Sequence, residues 1–193
     1  MNTVEERARR YASKAHAEAG QRRKYTDEPY IVHPAAVVEL VRSVSHNENM
    51  LAAAWLHDTV EDTASTLDDI RSHFGDTIAT LVDMLTHRDG AEGLSRVARK
   101  VAHFQHSQRA NPEAQTIKLA DIIDNTRSIV QYAPQFARVY LVEKRVQTGY
   151  LTAGNATLLQ QAERIIEQGI RQLEQPPHNV PTDWFKRQEA KYR

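Results

Sequence analysis

The amino-acid sequence predicts an all-α fold. Only 7 glycines and 7 prolines occur among 193 residues, so few positions interrupt a helix. Apolar residues recur at three- and four-residue spacing in most long segments, and the two-residue alternation of half-buried strands is scarce. We therefore expect a compact bundle of helices around one core.

The first half of the chain contains five predicted helices. The loop between the first two ends at Pro34, which suits the first turn of a helix because its missing N–H costs nothing there. Thr66 and Asp69 resemble a capping box, and Gly75 with Asp76 opens the fifth helix. The predicted helices span about residues 3–19, 34–45, 50–62, 66–73 and 76–87.

The second half contains four predicted helices and an irregular tail. Asn111 is a favourable N-cap and Pro112 suits the first helical position, so a long helix is predicted from there. Pro134 ends that run, and the prolines after residue 175 argue against a continuing helix. The four predicted helices span about residues 94–108, 112–132, 134–148 and 155–174.

One domain is expected over residues 1–175, followed by a tail over residues 176–193. A chain of this length is too short for two ordinary domains, and no linker or internal repeat divides it. The tail carries the aromatic pair Trp184 and Phe185, which we expect to pack on the domain or on a partner subunit. Packing on a partner would make the protein a homo-oligomer.

The composition excludes several classes of function. The 25 basic and 25 acidic residues cancel, so no overall field attracts nucleic acid or a membrane surface, and a small molecule in a pocket is the expected partner. The absence of cysteine excludes disulfides, thiolate nucleophiles and cysteine-ligated metals. No signal peptide or membrane-spanning run is recognisable, which predicts a cytoplasmic location.

The segment HDTVED places an imidazole close to three carboxylates. It contains His57, Asp58, Glu61 and Asp62, directly after the apolar stretch LAAAWL. If one helix continues through it, Glu61 lies over His57 and Asp62 over Asp58, because residues four apart share a helix face. A solvated helix end is one interpretation. Burial of the alanine-rich stretch favours the other, a metal site, since buried carboxylates require a cation.

Two further segments offer ligands of the same kinds. His33 lies at a loop-to-helix junction in PYIVHP, and Asp121 belongs to a polar stripe with Lys118 and Asn125 on an otherwise apolar helix. With the His-Asp doublet described above, these residues give two imidazoles and two carboxylates. Such a mixed nitrogen and oxygen set suits manganese, iron or zinc better than calcium.

The order and spacing of these motifs resemble the HD superfamily. Within it the chain is similar to the alarmone hydrolases of the stringent response, both the small single-domain form and the hydrolase half of the long bifunctional proteins. The resemblance rests on AHAEAGQRRKYTDEPYIVHP, AAAWLHDTVEDT, FGDTIATLVDMLTH and IKLADIIDNTRSI, which together cover most of the chain. It implies a compact HD-domain bundle that hydrolyses guanosine tetra- and pentaphosphate.

The resemblance also implies a role for each matching residue. The cofactor would be a divalent ion, usually manganese, and Glu61 and Asp62 would activate or orient the attacking water. Arg23 and Lys24 would meet the guanine base and nearby phosphates, and Asn125 the sugar-phosphate portion. The ligands of the ion would be His33, His57, Asp58 and Asp121.

Two other features of the second half bear on substrate binding. Lys118, Arg138, Lys144 and Arg145 are further candidates for phosphate contacts, although charged residues on a helix usually form its solvated face. Asp124 departs from the family pattern, in which His or Tyr is common at this place. An extra acid near phosphate is unfavourable, so Asp124 puts the substrate in question.

The sequence therefore predicts a metal-dependent phosphohydrolase that releases pyrophosphate from the 3′ position of the alarmone and leaves GDP or GTP. Two alternatives stay open. One is an HD phosphohydrolase that acts on the 2′-phosphate of NADPH or on a nucleotide monophosphate, and Asp124 is the feature that favours it. The other is a nonenzymatic alarmone-binding sensor, against which the presence of both Glu61 and Asp62 argues.

Overall fold

The computed structural model describes residues 3–87 and 93–192, and it confirms the all-α prediction. None of the described helices is both long and apolar enough to cross a membrane. The helices are α1 (Val4–Glu18), α2 (Val32–Arg42), α3 (Glu48–Leu56), α4 (Thr59–Asp62), α5 (Leu67–Phe74), α6 (Asp76–Leu85), α7 (Arg96–Arg109), α8 (Pro112–Thr126), α9 (Ile129–Tyr132), α10 (Pro134–Thr148), α11 (Ala156–Glu174) and α12 (Thr182–Glu189), followed by a 3₁₀ turn over Ala190–Tyr192.

Two helices form the centre of the bundle. α3 packs against α1, α2 and α6, and every side chain from Met50 to Leu56 is buried. α8 packs against α2 and α11 and is buried over most of its length. The three consecutive alanines of α3 allow its neighbours to approach closely. Residues at the end of α3 and along α8 are therefore held in fixed positions by the core.

Side-chain caps begin α5 and α8 where the sequence predicts them. Thr66 Oγ1 accepts a hydrogen bond from the Asp69 N–H at 3.1 Å, and the Asp69 carboxylate accepts one from the Thr66 N–H at 2.8 Å. This reciprocal pair is the predicted capping box. Asn111 Oδ1 accepts from the Ala114 N–H at 2.8 Å, and Pro112 occupies the first position of α8. The caps fix the rotational start of both helices.

The helix predicted over residues 50–62 is interrupted, which corrects one expectation. α3 ends at Leu56, the next two residues form a turn, and α4 begins at Thr59. Side chains satisfy the carbonyls that the break frees. His57 Nδ1 donates to the Ala54 carbonyl and Thr59 Oγ1 donates to the Leu56 carbonyl, each at 2.7 Å. The four-residue spacing of a continuous helix therefore does not hold across this turn.

The long helix predicted through residue 132 also breaks. α8 ends at Thr126 and α9 begins at Ile129. Thr126 Oγ1 donates to the Ile122 carbonyl at 2.6 Å, a side-chain bond of the kind that competes with the helical backbone ladder. Because of the break, Ile129 and Tyr132 border a cleft instead of extending α8.

The tail contains a helix that the sequence does not predict. A pair of prolines follows the end of α11, but α12 begins at Thr182, immediately after Pro181. Phe185 is 2% exposed and Tyr192 is 6% exposed. The Tyr192 hydroxyl donates to Glu143 Oε1 of α10 at 3.0 Å. The described part of the tail thus packs on its own chain, and the domain boundary at residue 175 stays a prediction.

We expect Phe185→Ala to destabilise the protein by about 3–5 kcal/mol, because it removes a fully buried aromatic ring and leaves a cavity. Urea denaturation followed by circular dichroism measures the effect. Phe136→Ala is the matched control, since Phe136 is 44% exposed and should lose far less stability. Equal midpoints for Phe185→Ala and the wild type would contradict the packing of α12 on this domain.

Candidate metal centre and adjoining cleft

Two imidazoles meet where α2 begins and α3 ends. His33 is the second residue of α2 and His57 follows the last residue of α3, and their ring centroids lie 5.2 Å apart. Both side chains are buried, and neither Nε2 atom has a hydrogen-bond partner among the described residues. A buried ring nitrogen without a partner is costly. The two Nε2 atoms therefore mark a position at which a ligand is expected.

Asp58 and Asp121 bring carboxylate oxygens to the same position. Asp58 Oδ2 lies 3.0 Å from Nε2 of His57 and 3.6 Å from Nε2 of His33. Asp121 Oδ1 lies 3.2 Å from Nε2 of His33 and 3.9 Å from Nε2 of His57. Donor atoms bound at about 2.0–2.2 Å to one ion lie roughly 3.0–3.5 Å from each other. The spacing of the four groups is therefore compatible with one shared divalent ion, and the ligand atoms of His33, His57 and Asp58 all lie within 4.8 Å of one another.

The second ring nitrogen of each histidine is held by an acceptor. His57 Nδ1 donates to the Ala54 carbonyl at 2.7 Å, and His33 Nδ1 donates to Asp124 Oδ2 at 2.6 Å. Because both acceptors require the proton on Nδ1, they leave Nε2 as the atom that can bind a metal. This division of the ring nitrogens is typical of metal-binding histidines, so the residues present fit a divalent cation.

The charges at the centre also favour a cation. Burial lowers the pKa of His33, but the Asp121 and Asp124 carboxylates outweigh burial and raise that pKa to about 9. Burial raises the pKa of Asp58, but the adjacent His57 ring holds it well below its ordinary value. Both effects show carboxylates that stay ionised inside the protein. Their charge is compensated either by protons on the imidazoles or by a metal ion.

The two acids after the doublet lie in different surroundings. Glu61 accepts hydrogen bonds from the backbone N–H and the ring Nδ1 of His87, so it lies beside His87 and not over His57 as a continuous helix predicts. Burial raises the pKa of Glu61, but His87 outweighs it and leaves the pKa below its ordinary value. Burial and the neighbouring Asp58 raise the pKa of Asp62 to about 6. Adjacent in sequence, the two carboxylates therefore differ in basicity.

A cleft of about 330 Å³ adjoins the metal centre. Two of its wall residues bind predicted metal ligands directly. The Tyr30 hydroxyl donates to Asp58 Oδ2, and Asn125 Nδ2 donates to Asp121 Oδ1, each at 2.6 Å. The cleft is lined by Arg22, Arg23, Lys24, Tyr25, Thr26, Tyr30, Asn125, Ser128, Ile129, Tyr132, Phe136 and Tyr140.

Aromatic rings and a lysine form the outer wall of the cleft. The rings of Tyr25 and Tyr132 are nearly parallel, at 4°, with centroids 6.0 Å apart. Lys24 Nζ lies 5.5 Å from the Tyr25 ring centroid and 5.9 Å from that of Phe136. Tyr25, Tyr132 and Phe136 are all more than one third exposed, which is unusual for large aromatic side chains. Exposed rings grouped in a cleft are typical of a ligand site.

Arg23 lies at the junction of the cleft and the metal centre. Its Nη1 donates to Asn125 Oδ1 at 3.1 Å, and its Nη2 lies 3.7 Å from Asp124 Oδ2. The loop before α2 is thereby attached to α8 through two side chains. The structure thus brings together Arg23, Lys24 and Asn125, the three residues that the resemblance assigns to the nucleotide.

Lys118 lies beside the metal centre, and its positive charge acts on Lys144. Lys118 Nζ is 2.8 Å from Asp121 Oδ2, the carboxylate oxygen that faces away from the imidazoles. Lys144 Nζ donates to Gln147 Oε1 at 2.9 Å and lies 5.3 Å from the Tyr140 ring centroid. Burial and the positive charge of Lys118 lower the pKa of Lys144 to about 7. The pair forms a local concentration of positive charge.

Arg138 and Arg145 do not line the cleft, as is also true of the two lysines described above, and their phosphate contacts stay predictions. The two residues are seven apart and share one face of α10. Arg145 pairs with Glu167 of α11 at 3.3 Å and with Glu189 of α12 at 2.9 Å. That face of α10 is therefore turned toward neighbouring helices, and Arg138 is absent from the cleft wall that includes Tyr140.

Three residues of the site are not among the sequence predictions. Tyr30 is bound to a predicted metal ligand, and His87 holds a predicted catalytic acid. His16 is 1% exposed, its Nδ1 is 2.7 Å from Gln21 Oε1, and its ring lies 4.7 Å from that of Tyr30. All three lie in segments that carry the family resemblance, His16 and Tyr30 in AHAEAGQRRKYTDEPYIVHP and His87 at the end of FGDTIATLVDMLTH. The two histidines are too distant along the chain for periodicity to connect them to the site.

Comparison with known proteins identifies relatives of two lengths. The protein named guanosine-3′,5′-bis(diphosphate) 3′-pyrophosphohydrolase MESH1 of Mus musculus is 34% identical over 163 residues, which cover 82% of this chain and 87% of the mouse protein. Its Homo sapiens counterpart is 32% identical, with 84% of this chain and 88% of that protein covered. The GTP pyrophosphokinase of Streptomyces coelicolor is 39% identical over 64% of this chain, but the match spans only 14% of that longer protein.

Solved structures and a family model agree with these relatives. The structure described as a metazoan ortholog of SpoT that hydrolyzes ppGpp matches with a TM-score of 0.76 and 30% identity, over 87% of this chain and 96% of that one. Lmo0812 of Listeria monocytogenes matches with a TM-score of 0.60 and 27% identity, over 72% of this chain and 99% of that one. The family model described as an HD domain matches residues 8–147, a range that contains the whole candidate metal centre. The chain belongs to the HD-domain family.

Proposed function

We propose that the chain hydrolyses guanosine tetraphosphate and pentaphosphate at the 3′ position, giving pyrophosphate and GDP or GTP. The observation that carries the proposal is the junction of two parts, a cluster of two imidazoles and two carboxylates and a cleft with aromatic and basic walls. The names of the MESH1 relatives, which this chain matches over most of their length, support the same substrate class. The whole activity of the long pyrophosphokinases is not carried over, because the match spans a small part of them.

The proposed cofactor is a divalent ion, and we favour manganese. His33, His57, Asp58 and Asp121 would hold it. Nitrogen and oxygen donors suit manganese, iron and zinc, and the chain has no cysteine thiolate, the soft donor found in many zinc sites. When bound, such an ion lowers the pKa of a bound water and offsets negative charge on a phosphoryl oxygen.

Asp62 is the better candidate for the proton acceptor. Burial and the charge of Asp58 raise the pKa of Asp62 to about 6, so Asp62 is the more basic of the two acids. Glu61 is less basic, since two hydrogen bonds from His87 stabilise its ionised form. We therefore propose that Asp62 accepts the proton of the attacking water and that Glu61 orients this water.

The aromatic part of the cleft is assigned to the guanine base. Its volume of about 330 Å³ lies at the lower end of the range for small-molecule pockets. The parallel rings of Tyr25 and Tyr132 offer flat surfaces on which a base can stack. Arg23 and Asn125 lie at the junction of the cleft and the metal centre, where the sugar and its phosphates would follow the base, and Lys24 lies beside the rings.

Lys118 and Lys144 are assigned to the departing pyrophosphate. Lys118 Nζ lies 2.8 Å from Asp121 Oδ2, and the charge of Lys144 interacts with both residues, so we assign both ammonium groups to phosphate oxygens bound at the centre. Lys118 keeps its charge, because its pairing with Asp121 outweighs burial and raises its pKa. Lys144 differs, because its pKa of about 7 makes its charge depend on pH in the physiological range.

We expect kcat/KM to fall by about tenfold per pH unit above about pH 7, as Lys144 loses its proton and with it a phosphate contact. The sign follows from the lowered pKa, since the charged form is complete below that value and is lost above it. Lys144→Arg should remove this alkaline limb, because a guanidinium stays protonated. Lys14→Arg, on an exposed lysine paired with Glu18, is the control and should keep it. An unchanged limb in Lys144→Arg would exclude this assignment.

The test of the proposed function is turnover of guanosine tetraphosphate with and without manganese, with a chelator control and with products separated by anion exchange. NADPH, GDP and dGTP are assayed in parallel. Metal-dependent release of pyrophosphate and GDP is the expected result. Release of phosphate from NADPH or another nucleotide would indicate an HD phosphohydrolase with a different substrate. No turnover of any of the four compounds would favour a nonenzymatic alarmone-binding sensor.

The feature that favours another substrate in the sequence has a local explanation in the structure. Asp124 Oδ2 is already bound to His33 Nδ1 at 2.6 Å and lies 3.7 Å from Arg23 Nη2. The His33 ring and the Arg23 guanidinium therefore compensate its negative charge. This arrangement removes the main objection to an alarmone in the cleft, so no second function is proposed.

A further inference from the structure

Asp124 makes the shortest side-chain contact to His33. The two residues are 91 positions apart in the chain, and His33 Nδ1 donates to Asp124 Oδ2 at 2.6 Å. The side chain of His33 is fully buried and that of Asp124 is 15% exposed. A hydrogen bond to an ionised group in such a site is stronger than one between neutral groups, and it is protected from water.

Asp121 and Asp124 hold the His33 ring from both sides. They are three residues apart on α8 and therefore share a face of that helix. Asp124 contacts Nδ1 of His33, and Asp121 Oδ1 lies 3.2 Å from Nε2 of the same ring. A carboxylate acceptor at Nδ1 fixes the proton there and directs the lone pair of Nε2 toward the metal centre.

The other histidine of the centre, His57, does not need a partner from another helix. The Nδ1 atom of His57 is satisfied locally, by the Ala54 carbonyl in the preceding turn. His33 is the second residue of α2, and its Nδ1 atom bonds to a side chain of α8 instead of to a backbone carbonyl. Its ring orientation depends on a side chain from another helix, and that side chain is charged.

The same carboxylate oxygen faces the substrate loop. Asp124 Oδ2 lies 3.7 Å from Arg23 Nη2, and Arg23 Nη1 donates to Asn125 Oδ1 at 3.1 Å. Arg23 lines the cleft, whereas His33 belongs to the metal centre. One acid therefore contacts both a predicted metal ligand and a predicted nucleotide contact.

We propose that Asp124 is a positioning residue that orients His33 for metal binding and anchors Arg23 at the mouth of the cleft. The inference rests on the metal centre of the proposed function and adds a residue that neither the family resemblance nor the site prediction assigns. Asp124, which departs from the family pattern, thereby has a functional role. The acid supplies at Nδ1 the acceptor that a metal-binding histidine requires.

The test is the affinity of the purified protein for Mn²⁺, measured by loss of the electron paramagnetic resonance signal of free Mn²⁺ with no substrate present. Asp124→Ala should weaken binding by about 10–100-fold, the loss typical of an outer partner of a ligating histidine. Asp124→Asn keeps an acceptor but no charge, so its loss should be smaller. Asp68→Ala is the control, since Asp68 also pairs with an arginine but is exposed and distant from the centre.

A ligand variant separates failure of the inference from failure of the metal centre. His57→Ala should lose more affinity than Asp124→Ala, because it removes a donor atom. If Asp124→Ala binds Mn²⁺ within twofold of the wild type while His57→Ala does not, the positioning role is wrong and the centre stands. If His57→Ala also binds normally, the centre itself is wrong. Should Asp124→Ala fail to fold, Asp124→Asn at wild-type affinity and wild-type KM would equally overturn the proposal.

The anchoring of Arg23 has its own readout. Asp124→Asn should raise KM for guanosine tetraphosphate at saturating Mn²⁺, because the loop arginine loses an ionic contact that holds it at the cleft. Saturation with metal removes the effect on His33 from this measurement. An unchanged KM under those conditions would show that Asp124 acts only on His33. The proposed anchoring of Arg23 would then be wrong.

Discussion

Asp62→Asn is expected to lower kcat by about 10²–10⁴-fold, the range for loss of a general base, with little change in KM or in Mn²⁺ affinity. The substitution keeps the size and shape of the side chain but removes its capacity to accept a proton. Asp62 is suited to that role because burial and the adjacent Asp58 raise its pKa to about 6. Steady-state kinetics at saturating metal measures kcat and KM separately.

Glu61→Gln is the informative comparison for Asp62→Asn. Glutamine keeps an acceptor for His87, so the hydrogen bonds that position this side chain are largely preserved. We expect a smaller loss of kcat than for Asp62→Asn. Asp68→Asn, on an exposed carboxylate outside the site, should be neutral. The reverse order, with Glu61→Gln inactive and Asp62→Asn active, would identify Glu61 as the proton acceptor.

The predicted metal ligands differ in how far they follow from the sequence. His57 and Asp58 are predictable from the chain itself, because an ionisable doublet directly after the apolar run from Met50 to Leu56 requires a cation or solvent. His33 and Asp121 are not near this doublet along the chain, and only the family resemblance connects them to it. The distances between the four residues then support a common site.

The contacts that hold the ligands and acids in place do not follow from the sequence. Helical periodicity relates residues within a few turns, whereas the His33–Asp124 and Glu61–His87 contacts join residues 91 and 26 positions apart. Such pairs depend on how helices pack. In the sequence Asp124 is only an extra negative charge, because its partner, His33, lies on another helix.

Helix interruptions are the weakest part of the fold prediction, for a physical reason. Neither glycine nor proline occurs within residues 50–62 or 113–132, the segments that contain Thr59 and Thr126, so the sequence alone predicts continuous helices. Both threonines instead donate to carbonyls of the preceding turn, and α3 and α8 end nearby. The first break determines the position of the His-Asp doublet, and the second opens the wall of the cleft. Both interruptions therefore lie where the site is built.

Asp58→Asn is expected to abolish Mn²⁺-dependent turnover and to weaken Mn²⁺ binding by more than the roughly 10–100-fold typical of an outer-shell residue. Asp58 Oδ2 lies within 3.6 Å of both imidazole Nε2 atoms, so its charge is at the middle of the cluster. Asparagine retains an oxygen donor of similar size but loses that charge. Calorimetric titration with Mn²⁺ and an activity assay after chelator treatment and metal readdition measure the two effects.

Thermal unfolding distinguishes a lost ligand from a lost fold. An ion that binds only the folded state should stabilise the wild type by about 2.7 kcal/mol at a hundredfold excess over Kd, and this gain should be absent in Asp58→Asn. Tyr30→Phe is the matched comparison, because it removes only the hydroxyl that donates to Asp58 Oδ2. It should retain a metal-dependent rise in melting temperature that is smaller than that of the wild type. An Asp58→Asn protein that folds, binds Mn²⁺ with near wild-type affinity and turns over substrate would exclude Asp58 as a ligand and require another centre for the chemistry.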